Sequence, residues 1–273
     1  MRAAGGAGLA LCLASYPAAQ ALPSSDFALS GEPMQGGLIA GTAPRGTAAL
    51  TLDGKSLALA PDGRFILGFD RDHAPLAMLV ARLADGRTVQ RAIRVSPRSW
   101  RIERVNVAQR PPTPEFLRIR KGELARIAAA RTRGSGSEGW RQRFIWPARG
   151  RISGLFGSQR IYRGEPGSYH SGVDVAAGAG ATVVAPADGI VILAGPPAFS
   201  LEGNLVIVDH GMGLNSSFLH LSRVDVREGQ QVRQGQPIGT VGATGRATGP
   251  HLHWGMKWGD ARIDPQQLAG PMG

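Results

Sequence analysis

Gly249-Pro250-His251-Leu252-His253-Trp254-Gly255 is the stretch from which the rest of the chain can be read. Side chains at i and i+2 of an extended segment leave the same face. If this segment is a strand, His251 and His253 share one face, and Leu252 and Trp254 share the other. Two imidazoles on a rigid face can hold a metal ion together, or one binds it while the other moves a proton. A chance pair on a solvated strand is the simpler account, so what the chain supplies elsewhere decides.

It supplies a second pair upstream, in Tyr169-His170-Ser171-Gly172-Val173-Asp174. On an extended segment positions 170, 172 and 174 face one way, and Gly172 puts no side chain between the imidazole and the carboxylate. With one histidine of the His-x-His strand they make a two-histidine, one-aspartate set with a fourth position free. That is the catalytic form of a zinc site, whereas structural zinc sites are closed and usually rich in cysteine. The single cysteine, Cys12, lies in the N-terminal leader, so the mature chain has no thiolate to offer. His220 and the remaining member of the His251/His253 pair are then free to act as base and as oxyanion donor. Spacing alone does not separate His251 from His253. The set matches neither the helical His-Glu-x-x-His pattern nor a Ser-His-Asp arrangement. The glycine-rich run 242–249 has no Gly-Lys-Ser/Thr after it and reads as a loop shaping the cleft. His210, beside Asp209 at a strand end, reads as a turn-stabilising histidine, and His73 as a turn residue.

In order, His170-x-x-x-Asp174, Phe218-Leu219-His220-Leu221-Ser222 and Gly249-Pro250-His251-Leu252-His253 resemble the lysostaphin-type (LytM) zinc metallopeptidases, which cut peptidoglycan peptides. The resemblance runs from about Trp146 to Pro265. It implies that His170, Asp174 and His253 are the ligands of one zinc ion per chain, and that His220 and His251 are the catalytic histidines. Two positions depart from the pattern: Phe218 stands where many members have tyrosine, and Gly255 where many have glutamate. Both touch substrate contacts rather than ligands. The function implied is a secreted zinc metalloendopeptidase that hydrolyses peptide cross-links of bacterial peptidoglycan, at a D-alanyl-diaminopimelate bond. The alternative on the same fold is a non-catalytic protein that binds wall or regulates another hydrolase. Such relatives usually lose zinc ligands, whereas all five motif residues stand here.

The whole chain is consistent with this setting. It has 273 residues, ample for two domains, and 42% hydrophobic residues. With 39 glycines and 19 prolines it favours short strands and many turns. Met1-Arg2, the small apolar run 7–14 and Ala19-Gln20-Ala21 read as a secretory signal peptide over residues 1–21. Leu11 before Cys12 is too bulky for a lipoprotein site. No other apolar run is long enough to span a bilayer, so a soluble mature chain is expected, periplasmic or otherwise secreted and associated with the wall. Of the net charge of +11, residues 101–150 contribute +8, from twelve Lys or Arg against four Asp or Glu. A basic surface suits an anionic polymer. Nucleic acid is excluded as a partner by the leader and by the lack of an aromatic–basic platform.

A mainly β fold is expected. Residues 22–110 read as a small immunoglobulin-like β-sandwich, with hairpin dipeptides at Asp53-Gly54 and Asp85-Gly86. Residues 111–143 read as a basic helix and linker. Thr113 is its N-cap, Pro114 its first residue, and Phe116, Ile119, Leu124 and Ile127 its apolar stripe. Residues 144–273 read as a compact antiparallel β domain whose loops carry the site.

Overall fold

A computed structural model describes residues 26–108 and 111–272 of the chain. The signal-peptide reading of residues 1–21, and Cys12 with it, lies outside the described residues. The described chain is mainly β, as expected: an eight-stranded antiparallel sheet in the C-terminal half, small sheets before it and one long helix.

The large sheet runs in the order Gln231–Val232, Gly189–Leu193, Asn204–Asp209, Leu214–Leu221, Leu252–Trp258, Gly172–Ala176, Arg151–Gly154, with Ala261–Ile263 also paired to Leu252–Trp258. Alternation along each strand gives it two faces. Val206, Val208, Leu214, Phe218, Leu252, Trp254 and Met256 go to the main apolar core. Leu205 and Ile207 go to the opposite face, into a smaller cluster with Ile192, Leu193 and Phe199. The histidine strand follows the same rule: Leu252 and Trp254 are fully buried on the core side, and His253 looks the other way.

The smaller cluster is closed by the helix Pro114–Arg131, α1, through Ile127 and Ala130. Its start is as expected, with Thr113 Oγ1 accepting a hydrogen bond from Phe116 N at 3.2 Å and Pro114 opening the helix. Its docked stripe is not. Phe116, Arg120, Glu123, Ile127 and Ala130 turn inward, while Ile119 and Leu124 stay exposed at 43% and 50%. The reason is an ion-pair cluster that apolar periodicity does not register. Arg120 donates to both carboxylate oxygens of Glu202 (2.7 and 2.5 Å) and to Glu123 (2.9 Å). Glu123 in turn accepts from the backbone and hydroxyl of Ser200.

In the N-terminal half a three-stranded sheet (Ala28–Ser30, Leu38–Thr42, Arg64–Gly68) faces a four-stranded one (Lys55–Ser56, Thr47–Leu52, Leu76–Leu83, Thr88–Arg94). Phe27, Ile39, Phe65 and Leu67 meet Leu50, Leu79, Ala81 and Ile93 in one core between them. Strands one, two and five thus pack against four, three, six and seven as a small β-sandwich.

The next strand, Ile102–Val105, does not belong to that sandwich. It pairs in parallel with Gln159–Tyr162, in the hairpin that precedes His170. The two halves are pinned around this point. Arg98 donates to the buried Asp264 at 2.8 Å, and Arg71 donates to Gly157 O at 2.9 Å with its guanidinium against the rings of Trp100 and Tyr169. Trp258 packs against both large cores.

Candidate metal centre

The site lies on the sheet face opposite the main core, on three neighbouring strands. Asp174, in Gly172–Ala176, stands directly across from His253, in Leu252–Trp258, and His253 stands across from Leu219, in Leu214–Leu221. The sheet, not the loops, therefore carries most of the site, contrary to the loop-borne arrangement expected. Only His170 and His251 sit in the segments leading into their strands. Strand register is set by continuous ladders of backbone hydrogen bonds, so it positions opposed side chains more tightly than loops do.

His170 Nε2, Asp174 Oδ1 and His253 Nδ1 form a triangle with sides of 2.9 to 3.0 Å. Their ligand atoms all lie within 4.8 Å of one another, so the three could hold a metal ion. His170 is oriented from behind. His170 Nδ1–H donates to Leu155 O at 3.0 Å, which leaves Nε2 as the lone-pair nitrogen facing the triangle. Burial works against an ionised Asp174, but the His170 and His253 imidazoles beside it outweigh burial and hold the carboxyl well below the usual range. Burial also pushes His253 down, toward the neutral form that ligates metal. Two glycines make the room. A Cβ at Gly154 would lie 2.8 Å from Asp174 Cγ and closer still to its oxygen, and one at Gly172 would lie 2.7 Å from His253 Nε2. A carboxylate and two imidazoles, converging with no competing side chain, fit zinc.

His220 and His251 stand beside the triangle with ring centroids 4.8 Å apart, and His220 is 6.3 Å from His253. Both are held through Nδ1 by the glycine-rich loop. His220 donates to Thr244 O and His251 to Gly249 O, each at 2.8 Å. The Nε2 atoms are thus left to accept or donate a proton, and burial depresses the basicity of His220.

His220 reaches the site only because its strand breaks step. Simple alternation from Phe218 would send residue 220 into the core and 221 toward the site. Instead Leu221 is buried in the core, while His220 adopts φ of 64°. The pairing shifts there too: Asn204 faces Leu221 and Val206 faces Phe218, so one extra residue bulges from the Leu214–Leu221 strand. The left-handed backbone is held by His220 N donating to Glu202 O at 2.8 Å, next to the Arg120 clamp.

All five residues singled out from the sequence are brought together. His210 is not among them. It is fully buried, with Nδ1–H donating to Asp188 O (2.8 Å) and Nε2 accepting from Ser216 Oγ (2.9 Å), which extends the turn-stabilising reading to a core histidine. Sequence reasoning missed Gly154, the carbonyls of Thr244 and Gly249, and Glu202. The one available signal was the glycine-rich loop itself.

The fold and site together define a β-sheet protein with an open His-Asp-His metal centre and two further imidazoles beside it. Residues 168–265 match the model of Peptidase family M23. A solved structure of an M23 peptidase from Pseudomonas aeruginosa is 33% identical, with a TM-score of 0.68, covering 89% of this chain and 97% of that one. The chain belongs to peptidase family M23, the lysostaphin-type zinc metallopeptidases, and it keeps the metal-binding triad His170, Asp174 and His253. Among curated relatives, the cell division protein DipM of Caulobacter vibrioides is 35% identical over 150 residues, 54% of this chain and 23% of its own length. The peptidoglycan DD-endopeptidase ShyA of Vibrio cholerae is 38% identical over 117 residues, 41% of this chain and 26% of its own length. The chain thus spans about a quarter of the length of these curated relatives. No described helix is long and apolar enough to cross a membrane.

Proposed function

We propose that this protein is a zinc metalloendopeptidase that hydrolyses peptide cross-links of bacterial peptidoglycan, at a D-alanyl-diaminopimelate bond, in the periplasm or otherwise secreted and wall-associated. The observation that carries this reading is the convergence of His170 Nε2, Asp174 Oδ1 and His253 Nδ1, with His220 and His251 facing the same space. His170, Asp174 and His253 hold one zinc ion per chain. Bound there, it supplies Lewis acidity to a peptide carbonyl and to water. His220 and His251 do the proton work. One takes the proton from the attacking water and passes it to the leaving amine, while the other donates to the developing oxyanion. Their Nδ1–H bonds to loop carbonyls fix ring orientation, so little reorganisation is needed during reaction. Stem peptides and their cross-links are the partners. The leader (1–21), sandwich (22–110), helix and linker (111–143) and peptidase unit (144–273) form the proposed domain division.

The ShyA likeness supports the substrate class, and a likeness to the murein hydrolase activator NlpD of Escherichia coli, 34% identical over 120 residues, keeps a regulatory role in view as the second reading. The test is to incubate the mature chain with purified peptidoglycan and follow the muropeptides by mass spectrometry, with and without chelator. Loss of cross-linked dimers that chelator abolishes is expected. Intact dimers in the presence of protein carrying one zinc would leave the regulatory reading.

A further inference from the structure

Along the histidine strand, residues 253, 255 and 257 share the site face. Lys257 therefore lies about 13 Å from His253, four residues at about 3.3 Å each, with Gly255 as a bare floor between them. Beside that floor, α1 presents Arg120, Leu124, Ile127 and Arg131, successive residues of one helical face. Together they enclose a groove of about 180 Å³ whose opposite end is walled by His253. The exposed Leu124 is thus a wall of this groove rather than part of the core.

The groove is cationic in a way its own carboxylates do not balance. Arg120 is matched by Glu202, in the clamp already described. Arg131 donates only to the amide oxygen of Asn215 at 3.1 Å. Lys257 has only Asp260, at 3.7 Å, whose side chain is 94% exposed. Arg262 lies over the Tyr169 ring at 5.2 Å. Neither Arg131 nor Arg262 forms an ion pair among the described residues. Burial, reinforced by the neighbouring Arg262, makes the charged form of Arg131 costly, and burial with Arg131 does the same for Lys257; the distant Glu202 offsets only part of this for Arg131. Two partly buried cations, with the exposed Arg262 beside them, face one groove and favour an anion between them.

We infer that Arg131, Lys257 and Arg262 form a subsite for a carboxylate of the substrate peptide, with α1 as the wall that supplies Arg131. The inference rests on the peptidase reading for what the substrate is. A peptide whose scissile bond lies at His253 and whose chain runs over Gly255 brings a side-chain or terminal carboxylate three or four residues away into this end of the groove. Guanidinium groups suit a carboxylate through paired N–H donors, and amidation of that carboxylate would remove both the charge and the match.

The test uses two cross-linked muropeptides that differ only in whether the carboxylates flanking the cross-link are free or amidated. Binding to the metal-free full chain is measured by calorimetry, and kcat/KM with the zinc-loaded chain. The wild type should favour the free acid by at least about tenfold in both. The double variant Lys257→Met/Arg262→Gln, which leaves Arg131 and the helix in place, should lose most of that preference while its far-UV spectrum and zinc content stay unchanged. Equal binding of the two peptides by the wild type, binding of neither, or an undiminished preference in the double variant would each overturn the subsite. Discrimination in binding without any cleavage would sink the peptidase reading alone, and cleavage without discrimination the subsite alone.

Discussion

Gly154 stands directly opposite Asp174 in the sheet, and the space where its side chain would be is filled by the Asp174 carboxylate. Gly154→Ala should therefore displace the carboxylate and weaken zinc binding by about ten- to a hundredfold, the range seen when groups that orient a ligand are lost. Competition titration against a zinc indicator reads this directly. The sandwich core is remote from Gly154, so its folding should be unaffected. Unchanged affinity would mean that the sheet opens to accept the methyl group.

The two members of the His-x-His pair should fail differently. His253→Ala removes an apex of the triangle and should lose the metal. His251→Ala leaves the triangle intact and should keep zinc while losing about a hundredfold or more in kcat. His220→Ala should behave like His251→Ala. Zinc content by elemental analysis beside turnover separates the roles, and equal zinc loss in His251→Ala and His253→Ala would overturn the division.

The Arg120–Glu202 clamp joins α1 to the segment that holds His220 in its bulge. Burial penalises the Arg120 charge, but its two carboxylate partners more than compensate. Arg120→Met leaves Glu202 half-buried and unpaired, a change that should destabilise the fold by about 3 kcal/mol. Urea unfolding gives the stability. The same variant should lower kcat more than zinc affinity, because His220, not the triangle, is tied to Glu202. A variant as stable and active as the parent would show the clamp to be incidental.

His210 predicts an acid limit. Burial pushes its pKa down to about 4, against about 6.5 in an unfolded chain. As pH falls below about 6.5 the unfolded state takes up the proton first, so stability declines until about pH 4 and levels off below that. The full effect is on the order of 3 kcal/mol. His210→Gln should be less stable at pH 7 but lose this component of the slope. Urea midpoints from pH 7 to 4 that run parallel in both proteins would refute it.

The two segments that supply the metal triangle are legible in the sequence because they depend on local rules. Strand periodicity puts 170 with 174 and 251 with 253 on shared faces, and a chain with a single cysteine narrows the metal chemistry. The cap of α1 is legible for the same reason, since Thr113, Pro114 and Phe116 are neighbours in sequence. The docked face of α1 is not. Its stripe is led by Arg120 and Glu123, whose partners Glu202 and Ser200 lie about eighty residues away in sequence.

The amino-acid sequence by itself thus determined the mainly β fold and the two ligand-bearing segments, through residue types at short, regular spacings. Only the tertiary structure decided how these meet. The bulge that turns His220 out of the core, the empty space at Gly154 and the helix laid along the groove each arise from strand register and long-range packing. Those are set by partners far apart in the chain, and no local pattern records them.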